Sequence, residues 1–230
     1  MVPCSVERLQ HRACIRARGI SHGPALVLAV QCLAQGGHAF ETERLRIESQ
    51  RSDDLDAMIA AMDDPEARSW EGWTTFGHHD FVRTATLTDE RRRRGDENLV
   101  IRDKSTRQVI GARWVHRIRD DGCYIGTVIA AGWRGKGLGT EELTATLAFL
   151  HGHLALRLVF SETEVGNTAS QRQMTKAGMT QMPSGDMRTL EDGRSVQTVM
   201  FRSRVNKPVG SCSRWPARMA QAMSNDTPPG

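Results

Sequence analysis

From Phe40 to Glu48 apolar and charged positions alternate, with Leu45 and Ile47 on one side and Arg44 and Arg46 on the other. That is the two-residue period of a strand. Ser52-Asp53-Asp54 supplies an N-cap, and Leu55, Met58, Ile59 and Met62 then recur at helical spacing. Pro65 opens a second short helical piece, and 80–94 reads as a further helix ending in Arg91-Arg92-Arg93-Arg94, a solvated terminus that complements the helix dipole. Three strands follow, at 98–102, 108–118 and 123–130, joined by hairpin signals at Asp103-Lys104-Ser105-Thr106 and Asp120-Asp121-Gly122. A helix over 140–151 buries Leu143, Leu147 and Leu150, and 156–160 is a short buried strand. Asn167 caps another helix that stops at Gly178, and a last hairpin turns at Asp192-Gly193 between 179–190 and 195–204. The order predicts a mixed α/β fold with a largely antiparallel sheet, not an alternating parallel pattern.

The chain has 230 residues, 39% hydrophobic and 25% charged. It has no apolar run of ~18 residues that would cross a membrane. Its formal charge is +4, of which residues 1–39 carry +3 and 206–230 carry +2, leaving 40–205 close to neutral. The near-neutral body therefore weakens the case for a phosphate-backbone binder, and nucleic acid is not an expected partner. The five cysteines, Cys4, Cys14, Cys32, Cys123 and Cys212, are odd in number and suit neither a disulfide framework nor zinc. Reduced thiols in a cytoplasmic protein fit them. Residues 1–39 contain a short apolar run, Ala25 to Ala34, broken by Gln31 and Cys32. They are expected to form a disordered extension rather than a signal sequence. Residues 40–205 are expected to form one domain and 206–230 a disordered tail.

One segment carries chemistry. Gly132-Trp133-Arg134-Gly135-Lys136-Gly137-Leu138-Gly139-Thr140 lies between a strand and a helix. Its glycines let successive N–H groups turn toward one anion, the helix start adds its dipole, and Arg134 and Lys136 add charge. The spacing fails the Walker P-loop, because Gly135-Lys136 is followed by Gly137. It also fails the dinucleotide fingerprint, which needs Gly-x-Gly-x-x-Gly in a parallel unit.

Arg134-Gly135-Lys136-Gly137-Leu138-Gly139 resembles the Gln/Arg-x-x-Gly-x-Gly/Ala signature of the GCN5-related N-acetyltransferases. Thr42 to Ile47, Tyr124-Ile125-Gly126, Thr140-Glu141, Asn167-Thr168-Ala169-Ser170 and Lys176-Ala177-Gly178-Met179 resemble segments of its Rim-type, ribosomal-protein N-terminal acetyltransferase branch. The resemblance spans about 40–204. It implies acetyl-CoA as co-substrate, lying along Thr127, Val128 and Ile129, with its pyrophosphate on Arg134, Gly135, Lys136, Gly137, Leu138, Gly139 and Thr140 and a further contact at Asn167. No metal is implied.

The position of the superfamily's tyrosine acid is Met174; the resemblance to the Rim-type branch, whose candidate is the serine three residues after the asparagine, implies Ser170 as proton donor to the thiolate, with Glu162 as candidate base. Glu164 and His116 are weaker candidates for the base. Trp70, Trp73 and Phe76 form the expected acceptor lip. The implied activity is direct transfer of acetyl to a primary amine in a ternary complex. The acceptor is a protein N-terminus or a small molecule such as an aminoglycoside or metabolite. The alternative is a non-catalytic acyl-CoA-binding module, drawn from Met174 and from Tyr124 standing where the branch often has a glutamate. A membrane partner is not expected, and a homodimer is left open.

Overall fold

The computed structural model describes residues 12–16, 27–32, 37–72, 96–119, 121–183, 186–190 and 192–206. Its strands are β1 (Arg12–Arg16), β2 (Val27–Cys32), β3 (His38–Glu41), β4 (Leu45–Ser49), β5 (Glu97–Asp103), β6 (Val109–Arg119), β7 (Gly122–Ile129), β8 (Leu158–Glu164), β9 (Thr180–Gln181), β10 (Met187–Thr189) and β11 (Ser195–Arg204). The helices are α1 (Leu55–Met62), α2 (Pro65–Glu71), α3 (Leu138–Gly152) and α4 (Thr168–Lys176). The strands form one sheet in the order β1-β2-β3-β4-β5-β6-β7-β8-β11-β10, with β9 also on β11. Among the described residues only β7 and β8 pair in parallel, with helix α3 as the crossover that joins them. The fold is the mixed, mostly antiparallel α/β architecture that the pattern predicts.

Two cores lie on the two faces. On one, Leu143, Leu147, Phe149 and Leu150 of α3 pack on Leu45, Ile47, Leu99, Ile101 and Ile125. On the other, Leu55, Met58 and Met62 of α1 and Ala67 of α2 pack on Val100, Ala112 and Val128. Neighbours Leu99, Val100 and Ile101 are all fully buried, which is what a strand covered on both faces requires. Among the described residues no helix is long and apolar enough to cross a membrane.

Three differences from the sequence pattern have physical causes. The first strand is two strands, because Thr42 N–H and hydroxyl close a turn on Leu45 O at 2.9 and 3.5 Å. Within the segment expected to be a disordered extension, β1 pairs with β2 and β2 with β3, giving the edge backbone groups of β3 their partners. The strand expected at 179–190 is interrupted, leaving β9 and β10 as two short pieces on β11. The helix expected at 80–94 lies outside the described residues.

Candidate active site

The parallel pairing of β7 with β8 lasts three residues, Gly122 with Leu158, Cys123 with Val159 and Tyr124 with Phe160. On its other side β7 stays paired with β6 to Ile129. Past Tyr124, β7 and β8 therefore part, and a cavity of about 380 Å³ opens between them. Thr127, Val128 and Ile129 line it from β7, Ser161, Glu162 and Thr163 from β8, and Asn167, Ser170 and Met174 from the α4 segment. The volume lies within the range of small-molecule sites, ~300–1,000 Å³.

The glycine-rich turn closes one end. Gly135 and Gly137 have φ of +74° and +78°, left-handed values that favour glycine. Gly137 is the N-cap residue of α3, and the first backward hydrogen bond runs from Glu141 N–H to Gly137 O at 3.1 Å. The preceding N–H groups of the first turn thus lie at the positive end of the helix, as an anion site needs. The turn is clamped from the β3–β4 connection. Arg44 donates to Lys136 O at 3.0 Å and, through Nε, to Glu141 Oε2 at 2.7 Å. Glu141 also accepts from Thr42 Oγ1 at 2.5 Å and Arg44 N–H at 3.0 Å. Against the upward push of burial, these donors and the Arg44 charge hold its carboxyl below the ordinary glutamate range.

The sequence reading gives Arg134 and Lys136 to the ligand; their side chains are engaged within the protein. Arg134 donates to Ile129 O at 2.7 Å and pairs with Asp64 and Glu66 at the start of α2. Lys136 Nζ donates to Gly132 O at 2.7 Å and sits 5.0 Å from the Trp133 ring centroid, a cation–π contact. Arg134, Gly135, Gly137, Leu138, Gly139 and Thr140 line the cleft, whereas Lys136 does not.

On α4, Asn167 accepts from Ser170 N–H at 3.1 Å, the cap that the sequence predicts. Met174 is buried and lines the cleft from within the core. Glu162 lines it from β8 and accepts a hydrogen bond from the Thr198 hydroxyl. Trp70 lines the wall that α2 forms; Trp73 and Phe76 lie outside the described residues. His116 pairs with Asp96 at 3.5 Å, away from the cleft lining. One oxygen of Glu164, Oε2, is buried with no hydrogen-bond partner. Among the described residues there is no group of three or more His, Cys, Asp or Glu placed to hold a metal.

Sequence reasoning missed several lining residues. Arg113, on β6, is buried with Glu142 of α3 in an ion pair that includes an Arg113 Nε to Glu142 Oε1 bond of 2.9 Å. Gln173, Arg172 and Lys176 line the cleft from α4. Their spacing along one helix was legible; the face they would present was not.

The glycine-lined turn, the open helix end and the parted strands fit an extended, phosphate-bearing ligand such as acetyl-CoA. A Cβ at residue 139 would meet the Gln173 side chain at 2.9 Å, so the backbone there approaches α4 closely. Comparison with known proteins agrees with this geometry. No curated protein matches the chain significantly. In fold it is similar to an acetyltransferase from Bacillus anthracis, with 17% identity over 72% of this chain and 98% of that one and a TM-score of 0.62. It is also similar to the ribosomal-protein-S5-alanine acetyltransferase from Vibrio fischeri, with 14% identity, 75% and 99% coverage and a TM-score of 0.64. A third is the spermidine N-acetyltransferase from Vibrio cholerae in complex with CoA and spermine, with 15% identity, 72% and 98% coverage and a TM-score of 0.60. The family model described as the acetyltransferase (GNAT) domain matches residues 44–180, more than half of the chain, and the protein therefore belongs to the GNAT acetyltransferases.

Proposed function

We propose that the protein transfers an acetyl group from acetyl-CoA to a primary amine by direct attack in a ternary complex. The observation that carries this reading is the parting of β7 and β8 after Tyr124 and Phe160, with the N-terminus of α3 at the end of the opening. Acetyl-CoA supplies an acetyl group already activated as a thioester, so the chain must mainly bind, align and move protons. The N–H groups of the turn at 135–140 hold the pyrophosphate, and the edge of β7 along Thr127, Val128 and Ile129 aligns the rest of the cofactor. A backbone N–H near Ile129 meets the negative charge that develops on the carbonyl oxygen. Glu162, on the cleft wall, accepts the proton that the amine gives up. Ser170, at the first turn of α4, offers its hydroxyl to the departing thiolate in place of the phenol that Met174 does not supply. Trp70 forms part of the acceptor wall.

The acceptor is a primary amine, on a protein N-terminus as in the Rim-type branch or on a small molecule. The Vibrio fischeri enzyme is named for a ribosomal-protein alanine and the Vibrio cholerae enzyme for spermidine, which brackets these two classes. Five cysteines without a disulfide pattern support a cytoplasmic setting.

Thermal unfolding of the full chain with and without acetyl-CoA tests the cofactor. Ligand at ~100 times its dissociation constant stabilises the native state by about 2.7 kcal/mol. Gly137→Glu, which puts a strained side chain and a negative charge into the turn, abolishes that gain. Thiol release with an N-terminal alanine peptide and with spermidine then tests the chemistry; no release with any primary amine removes the enzyme and leaves the binding module.

A further inference from the structure

The geometry points to Arg134 as a positioning residue that fastens the acceptor-side helix α2 to the glycine turn, and not as a counter-charge for the ligand's phosphates. The inference rests on the acetyl-CoA reading only in naming what each side of the cleft binds. Arg134 Nε donates to Ile129 O, the last carbonyl of β7, at 2.7 Å. Its two terminal nitrogens form a fork on Asp64, at 3.1 Å to Oδ1 and 2.6 Å to Oδ2, and Nη1 also reaches Glu66 Oε2 at 2.8 Å. One guanidinium thus joins the end of the ligand-bearing strand to two carboxylates at the start of α2. A phosphate approaching this group would meet two carboxylates for one cation, which is a net repulsion.

Asp64 is the residue through which the fastening reaches the helix. Its Oδ1 accepts the N–H groups of Glu66 and Ala67, each at 3.0 Å, so the carboxylate that pairs with Arg134 is also the N-cap of α2. Burial works against the ionised form, but the Arg134 fork and the two N–H donors hold the Asp64 carboxyl below its ordinary range. Helix α2 has Pro65 at its first position and is only seven residues long, too short to persist without tertiary anchors. Its other end is tied where Arg194 donates to Ser69 O at 2.5 Å. Glu66 at the first tie, Ala67 between the two and Trp70 next to the second line the cleft. Arg134 therefore sets where the Trp70 wall stands relative to the end of β7, and a change at Arg134 acts on the amine side of the site.

The test uses the full chain with Arg134→Gln, Asp64→Asn and the double variant. Asparagine keeps the N-cap while removing the charge. Three quantities are read: hydrogen exchange of the amides of 65–71, the acetyl-CoA dissociation constant by calorimetry, and KM for an N-terminal alanine tetrapeptide and for spermidine. Exchange over 65–71 is expected to rise about tenfold in Arg134→Gln, by less in Asp64→Asn, which leaves the Arg134–Glu66 bond in place, and no further in the double than in Arg134→Gln. The KM of whichever amine is used is expected to rise about tenfold with little change in kcat, while the acetyl-CoA dissociation constant stays within about threefold. The proposal is overturned if exchange over 65–71 is unchanged. It is also overturned if acetyl-CoA binds more weakly to Arg134→Gln and more tightly to Asp64→Asn, the opposite signs expected of a phosphate ligand released from its carboxylate. Failure of the wild type to bind acetyl-CoA would defeat the proposed function, and the exchange measurement would still decide the role of Arg134.

Discussion

The side-chain amide of Gln173 stands where a Cβ on residue 139 would go, 2.9 Å away at its oxygen, while its nitrogen donates to Gly139 O at 3.0 Å. The obstacle is the far end of a flexible side chain, and residue 139 has no left-handed φ. Gly139→Ala should therefore displace Gln173 and cost less than about 1 kcal/mol, offset in part by alanine's better helix propensity. Gly137→Ala and Gly135→Ala face the reverse case. A Cβ at 135 would meet nothing within 4 Å and one at 137 only Arg44 Nη2 at an ordinary 3.6 Å, but φ values of +78° at 137 and +74° at 135 cost an L-residue about 1–2 kcal/mol each. Urea unfolding of the three variants checks the order, and a larger loss at 139 than at 137 would contradict it.

Arg113 and Glu142 form a pair with side-chain exposures of 2% and 0%, joining β6 to α3 beneath the cleft. Thr146 Oγ1 donates to Glu142 Oε1 at 2.7 Å and helps satisfy the carboxylate. Removing one charge strands the other without water. Arg113→Met or Glu142→Leu alone should lose about 3–5 kcal/mol, and the double replacement should recover most of it. Equilibrium unfolding of the three variants measures the coupling; additive losses would show that the pair is not one unit.

The parts of the fold that were legible in the sequence are those that local chemistry decides. Asn167 capping α4, Pro65 opening α2 and the hairpin at Asp192-Gly193 follow from side chains within a few residues of their backbone partners. The glycine turn was legible because left-handed φ at 135 and 137 leaves a compositional mark. What was not legible depends on residues far apart in sequence. The turn between β3 and β4 is secured by Glu141, which accepts from Thr42 and Arg44 from nearly a hundred residues away. Arg134 looks like a phosphate cation until Asp64 and Glu66 are placed beside it. The pairing of β1 and β2 with the edge of the sheet uses backbone groups, which leave little trace in side-chain periodicity.

Acid should weaken the protein before its carboxylates protonate. Burial and the neighbouring His38 push the His153 pKa down to about 4, with Glu97 acting the other way. Burial also lowers His151, against the raising effect of its bond to Leu156 O at 2.7 Å. In the unfolded chain both titrate near 6.5. Between pH 6.5 and about 4 the unfolded state binds more protons, so stability falls as pH drops through that window. Glu48, Asp64 and Glu141, with lowered pKa values, begin to add their losses as pH falls below about 5. Urea midpoints from pH 7.5 to 4.5 should decline, and His153→Gln should flatten that decline; a slope unchanged by the substitution would count against a neutral buried His153.

Ser170 can be separated from its helix because its structural bond does not use its side chain. The cap of α4 runs from Ser170 N–H to Asn167 Oδ1 at 3.1 Å, and an alanine at 170 keeps that N–H. Ser170→Ala should leave the unfolding midpoint within about 0.5 kcal/mol of wild type. If the hydroxyl protonates the departing thiolate, kcat should fall by about 100-fold or more, with the acetyl-CoA dissociation constant little changed. Asn167→Ala should do the opposite in stability, losing about 1 kcal/mol with the cap. The pair of variants separates the cap from the hydroxyl within the first turn of one helix. A Ser170→Ala enzyme with unchanged kcat would move the proton transfer away from α4, to solvent or to Glu162 on β8, and a fall in stability would show that the hydroxyl supports packing instead.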